Sequence, residues 1–275
     1  MPSSPGVCAW TLPDLTPATS PPPALSGETM ASVDRIATDA FNLSLVQMME
    51  NAGRSMATLA RMTCSGVGDG QAGPERVTVL AGTGNNAGGG LVAARHLAAW
   101  GAEVHVILAR PVVRLRPTPC RQLELAAAAG AEVAVAGHDR SLAEIRELIG
   151  VSTTVIDALI GYTLTGPPDA AYQRLIELAA SGSGAVLSLD LPSGVDATSG
   201  ATPGAAIRAD ATLTLALPKV GLRRDPARTL AGRLYLADLG IPRAVYAAAG
   251  IDVPLIFGPG PMVRLAVGDG IRPPS

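Results

Sequence analysis

The chain has little of what marks several large functional classes. Aromatic residues make up only 3% of its 275 residues, and the formal charge is −2 with a pI near 5.9. Nucleic acid is therefore not an expected partner: there is neither a basic field to draw in a polyanion nor a set of rings to stack on bases. Hydrophobic residues reach 48% against 16% charged, yet no apolar run attains the roughly 18 residues of a membrane span, so a soluble protein without a membrane partner is expected. Cys8, Cys64 and Cys120 are odd in number, far apart and without C-x-x-C spacing, which argues against a disulfide framework or zinc knuckle and fits a reducing cytoplasm. His96, His105 and His138 share no metal-ligand spacing and receive no role. Lysine is almost missing: Lys219 is the only one, and a solvated loop lysine and a ligand contact are equally open for it.

What is present suits one large α/β domain. Residues 1–29 are rich in proline, serine, threonine and glycine and read as a disordered tail. They lack the basic start and apolar stretch of a secretory signal, and Met30 is a possible alternative start because organised sequence begins after it. Helical apolar spacing over residues 31–62, broken near Asn42, predicts two helices. Strands are expected at residues 77–81, 103–109, 132–135, 153–158, 185–190, 211–216 and 233–239, with helices at 91–100, 118–129, 141–149 and 170–180. Strand and helix in alternation mean right-handed crossovers, hence a three-layer α/β/α Rossmann-like sandwich with a mostly parallel central sheet, one domain over residues 30–260. After Asp190 the helical patterns fade, so the last strands are expected to add by shorter connections, and residues 261–275 read as a loose terminus.

Ligands of an open parallel sheet sit beyond the carboxyl ends of its strands, and three polar clusters fall there. The first is a glycine-rich loop, Gly82 to Gly90, with paired Asn85 and Asn86, leading into a helix at Leu91; bare backbone N–H groups and a helix dipole suit a phosphate-bearing ligand. Its literal G-x-G-x-x-A match admits an NADP-dependent oxidoreductase, although the acidic residue expected after the second strand is absent. The second cluster is Asp157 followed by a glycine-bounded hydroxyl loop to Gly166, offering oxygen ligands to a hard cation and donors to phosphate. The third, Asp190-Leu-Pro-Ser193-Gly-Val-Asp196, sets a carboxylate beside a hydroxyl in a rigid turn, a good place for a general acid/base.

In this order the motifs resemble the NAD(P)H-hydrate epimerase family, the YjeF N-terminal domain. The resemblance spans roughly residues 30–242 and is carried by Met49-Glu-Asn-Ala-Gly53, Gly84-Asn-Asn-Ala-Gly-Gly-Gly-Leu-Val-Ala-Ala-Arg-His96, Asp157-Ala-Leu-Ile-Gly161, Asp190-Leu-Pro-Ser-Gly-Val-Asp196, Pro218-Lys-Val-Gly-Leu222 and Gly232-Arg-Leu-Tyr-Leu-Ala-Asp-Leu-Gly-Ile-Pro242. It implies an isomerase that interconverts the R and S forms of hydrated NADH and NADPH, NADHX and NADPHX, at carbon 6 of the nicotinamide ring, so that a separate dehydratase restores the coenzyme. It also implies substrate contacts from Asn85, Asn86, Ala87, Gly88 and Gly89, from Gly161, Tyr162, Thr163, Leu164, Thr165, Gly166 and Pro167, and from Asp190. Potassium ligands are implied at Asn86, Asp157 and Ser193, and Asp190 becomes the acid/base group. The chain departs from the family loop Gly-Asn-Asn-Gly-Gly-Asp-Gly at Ala87 and at Gly89, which replaces an aspartate. That second departure leaves, as the alternative, a catalytically silent nucleotide-binding or scaffold domain of the same fold. A homodimer through the N-terminal helices is a further expectation, since their methionines suit a packed interface.

Overall fold

The computed structural model describes residues 10–64 and 75–266. Eight strands form one sheet: β1 Arg76–Ala81, β2 Glu103–Leu108, β3 Glu132–Val135, β4 Thr154–Ala158, β5 Ala185–Leu189, β6 Ala211–Leu215, β7 Arg233–Ala237 and β8 Met262–Arg264. Their spatial order is β3-β2-β1-β4-β5-β6-β7-β8, parallel throughout except for the antiparallel last pair. The α-helices are α1 Gly27–Phe41, α2 Leu45–Cys64, α3 Asn85–Ala99, α4 Pro117–Ala128, α5 Leu142–Val151, α6 Ala170–Ala179, α7 Ala227–Leu230 and α8 Arg243–Ala248. None is long and apolar enough to cross a membrane among the described residues.

The layers follow from strand alternation. Val77, Val79 and Ala81 of β1 turn to one face, where they pack with Leu91 and Leu97 of α3 and Leu59 of α2. Leu80 turns to the other, with Ile145 and Ile149 of α5 and Leu175 of α6. Burial on both faces explains why these strands read as continuous apolar runs rather than alternating ones. Helix boundaries have local causes: Ser26 caps α1 by accepting from Thr29 N–H at 3.0 Å, Asn42 closes it in the left-handed region (φ 55°), and Ser141 and Glu144 form a reciprocal capping box on α5.

Two expectations are corrected. The tail assigned to residues 1–29 is ordered from residue 10 onward: Thr11 N–H donates to Thr63 O (3.1 Å), Ala18 N–H to Arg264 O (3.1 Å), and Leu25 N–H to Pro218 O (2.8 Å). Prolines there remove donors but leave carbonyls, which Arg233 and Tyr235 use when they donate to Pro13 O, and Ala24 and Leu25 bury their side chains. Residues 1–9, with Cys8, lie outside the described residues. The loose terminus assigned to residues 261–275 instead holds β8 with its buried Val263, followed by the buried Leu265; residues 267–275 lie outside the described residues. Of the methionines that suggested a dimer face, Met30, Met48, Met49 and Met56 are buried in the protein's own packing, while Met62 is exposed.

The glycine-rich loop is also shorter than expected. Helix α3 starts at Asn85 with Gly84 as N-cap, so Gly88, Gly89 and Gly90 are helical residues. Tertiary packing overrides their poor helix propensity because a side chain has no room: a Cβ on Gly90 would lie 2.5 Å from Ala158 Cβ, and one on Gly88 2.6 Å from Met49 Sδ. Gly90→Ala is expected to cost about 1–3 kcal/mol in urea unfolding despite alanine's better propensity. Gly150→Ala, at an exposed helical position with nothing within 4 Å of the new Cβ, is expected to stabilise by up to ~1 kcal/mol. Equal effects at the two sites would refute this account.

Candidate active site

Connections from β1 run to β2 on one side, whereas β4 joins β1 on the other. The loops leaving the carboxyl ends of β1 and β4 therefore diverge, and a crevice opens between them. A cavity of about 280 Å³ occupies it. Met30, Leu45, Met48 and Met49 from α1 and α2 supply an apolar wall, and Asn85, Asn86 and Gly89 of α3 supply the facing one. Gly161, Tyr162 and Thr163 close the β4 side, and Asp190, Ala216 and Lys219 form the floor beyond β5 and β6.

Asp190 is held in a strained backbone. Its φ is 73°, and Ala216, at the end of the neighbouring strand, has φ 61°. Non-glycine residues in that region cost on the order of 1–3 kcal/mol, which the surroundings must overcome. They do so by bonding: Asp190 N–H donates to Leu213 O at 2.8 Å, and Leu215 N–H donates to Asp190 Oδ1 at 3.3 Å. Lys219 Nζ donates to the same Oδ1 and to Leu215 O at 2.9 Å. Both charges of this pair are enclosed, at 1% side-chain exposure for Lys219 and 4% for Asp190. Lys219 is thus no solvated loop lysine. Its segment is clamped by the N-terminal arm, since Val220 N–H also donates back to Leu25 O at 2.9 Å.

Above the pair lies a second acid that sequence reasoning missed. Tyr162 Oη donates to Asp34 Oδ2 at 2.5 Å, and the Tyr162 ring centroid is 6.0 Å from Lys219 Nζ. Burial pushes the Asp34 carboxyl above its ordinary value, against the opposing pull of Tyr162 and Lys219. Burial and the nearby Asp34 charge likewise push the Tyr162 hydroxyl well above the usual phenol range, so it serves as a donor. Asp34 was legible in principle: it lies on the stripe Met30, Asp34, Ala37, where helical spacing asks for an apolar residue.

Asp157 sits beneath the cavity rather than on its wall. Fully buried, it accepts from Ser188 Oγ at 2.8 Å, Ser193 N–H at 2.8 Å, Ser193 Oγ at 2.5 Å and Leu159 N–H at 3.2 Å. Burial raises its carboxyl above the ordinary value although all these bonds oppose the shift. Every one of those partners is neutral, so the carboxylate has no counter-charge among them. Asn86 packs against Gly161 in the loop that follows β4, and its Nδ2 is buried without a partner among the described residues. Turning that amide over would put an oxygen in the orphaned position. Asp157, Ser193 and Asn86 would then offer only oxygens, with one formal charge among them, the donor chemistry that a hard monovalent cation takes. No cluster of three or more His, Cys, Asp or Glu side chains able to hold a metal occurs among the described residues.

Other expected contacts divide. Asn85, Asn86, Gly89, Gly161, Tyr162, Thr163 and Asp190 line the cavity, whereas Ala87 and Gly88 are buried in helix packing away from it. Leu164, Thr165, Gly166 and Pro167 lie beyond the rim, with Thr165, Gly166 and Pro167 exposed. Asn51 donates to Leu239 O at 2.9 Å and so steadies a wall residue, while Glu50 binds Arg95 (2.5 Å) and His96 (2.7 Å) between α2 and α3.

With this geometry in view, comparison with known proteins is decisive at the family level. Residues 45–221 match the family described as YjeF-related protein N-terminus. The chain belongs to that family. An NAD(P)H-hydrate epimerase of Dehalogenimonas lykanthroporepellens is 44% identical over 237 residues, covering 86% of this chain and 87% of the relative. A bifunctional NAD(P)H-hydrate repair enzyme Nnr of Thermofilum pendens is 38% identical over 214 residues, which are 78% of this chain but 39% of that protein. The crystal structure of yeast ynu0 superposes with a TM-score of 0.75 at 22% identity, covering 88% of this chain and 99% of that one, and supports the fold. Within the YjeF-related fold, Ala87 takes an ordinary helical backbone, so the missing glycine there imposes no strain. Gly89 faces the cavity beside Leu189, whose Cδ2 would lie 2.8 Å from an added Cβ; a longer residue is admitted only if that flexible tip moves.

Proposed function

We infer that this chain is an NAD(P)H-hydrate epimerase, interconverting the R and S forms of NADHX and NADPHX in nicotinamide coenzyme repair. The observation that carries the reading is the Asp190–Lys219 pair on the floor of a cavity at the sheet's switch point. Epimerisation at a hydrated carbon needs a proton or hydroxyl moved reversibly, and Asp190 is the group placed to exchange a proton with the ring. Lys219 holds that carboxylate by its Oδ1 and leaves the other oxygen to the substrate. The methionine wall suits a nicotinamide ring, and the cavity, just below the ~300–1,000 Å³ typical of small-molecule sites, encloses the ring end while the remaining dinucleotide crosses the rim near Thr165 to Pro167.

Asn86, Asp157 and Ser193 would hold a potassium ion, which supplies the missing positive charge beside Asp157 and ties the β4 loop to α3. Potassium chloride is expected to raise the melting temperature over choline chloride at equal ionic strength, by an amount equivalent to about 1 kcal/mol at several times Kd. Identical melting curves in the two salts would remove the cation from the reading. The functional partner is a dehydratase that returns one epimer to NAD(P)H.

The activity test is direct. Purified protein is incubated with one epimer and the other is followed by chromatography, with acceleration over the spontaneous rate expected. A rate equal to the spontaneous one would leave a silent nucleotide-binding domain instead.

A further inference from the structure

Resting on the epimerase reading, we propose that Arg116 binds a phosphate of the dinucleotide. Four charged side chains line the cavity: Asp34, Arg116, Asp190 and Lys219. Three are committed, Asp34 to the Tyr162 hydroxyl and Asp190 and Lys219 to each other. Of the four, only Arg116 carries a charged group without a hydrogen bond or ion pair among the described residues. It is exposed at the mouth, whereas Lys219 is sealed in the floor, so a ligand phosphate outside the ring pocket meets Arg116 and not the lysine.

The backbone fixes its place. Arg116 N–H donates to Thr83 O at 3.2 Å, joining the start of α4 to the turn after β1, beside Gly84 and Asn85 on the same cavity rim. Gly84 offers α3 no side-chain cap, so the first N–H groups of α3 face the same mouth and add donors to those of the guanidinium. A planar, permanently charged fork at this point matches phosphate oxygens two at a time. NADHX brings only its pyrophosphate to this rim, whereas NADPHX adds a 2′-phosphate.

The test measures Arg116→Ala, Arg116→Lys and Arg116→Glu with NADHX and NADPHX, and separately measures binding of ADP-ribose by calorimetry. ADP-ribose carries the pyrophosphate without the nicotinamide, so this arm is independent of turnover. The alanine variant is expected to raise KM about 10- to 100-fold, with lysine restoring part of the loss and glutamate deepening it. A loss on both substrates together with weaker ADP-ribose binding assigns the pyrophosphate, and a loss confined to NADPHX assigns the 2′-phosphate. Unchanged KM for both substrates with unchanged ADP-ribose affinity, or no ADP-ribose binding and no turnover by the wild type, overturns the proposal. An inactive wild type that still binds ADP-ribose through Arg116 would instead overturn the epimerase reading and keep this one.

Discussion

Asp190→Asn is expected to slow epimerisation by about 10²–10⁴-fold in kcat, the usual worth of a positioned general acid/base. The substitution preserves shape and keeps an oxygen for Lys219 and for Leu215 N–H, which now both meet Asp190 Oδ1. What it removes is the ability to take a proton. Because that ability matters more in the transition state than in substrate binding, the loss should fall in kcat while KM moves little. The strained φ of 73° bears on the choice of variant, since asparagine tolerates the left-handed region where alanine would add strain of its own. Single-turnover progress curves from one epimer give the rate. Turnover within a few-fold of wild type would show that the proton is handled elsewhere, with Asp34 the next candidate on the cavity wall.

Lys219→Met is expected to have the largest effect on stability, about 3–5 kcal/mol, because it strands a buried carboxylate. Methionine matches the length of the lysine stem, so the loss is of charge and of the bonds to Asp190 and Leu215 O rather than of volume. Adding Asp190→Asn to that variant should recover most of the loss, since the second change removes the unpaired charge that the first created. Urea unfolding of the two single variants and the double variant measures the coupling directly. A single Lys219→Met variant within about 1 kcal/mol of wild type would mean that water reaches the pair.

Much of this fold was legible because its strands are buried on both faces and announce themselves as unbroken apolar runs. β1 to β7 are found within two residues of the expected bounds. β8 was not: three residues on an edge, paired antiparallel to β7 and tied to the N-terminal arm, carry no periodicity. Nor was the true start of α3, because glycines chosen for close packing look in sequence like glycines chosen for a loop. In the site, Asp157 and Asp190 stood out as carboxylates at the ends of apolar strands, and Asn86 as one of paired amides in the glycine-rich segment after β1. Lys219 could not be interpreted, since its partner is 29 residues away and the burial that gives the pair meaning is tertiary. Arg116 had no signal beyond its charge, being one arginine in a chain that uses arginine almost everywhere else for its positive residues.

The N-terminal arm has a bearing on how the molecule comes together during translation. Thr19 bonds to Leu255 O, 236 residues away, and Tyr235 bonds to Pro13 O across 222. The arm leaves the ribosome well before the strands that receive it, so it waits undocked until the far edge of the sheet exists. Leu25, which grips the peptides on both sides of Lys219, belongs to that waiting segment. Docking of the arm, and with it the bonds that Leu25 makes on either side of Lys219, therefore follows formation of the sheet edge that receives it.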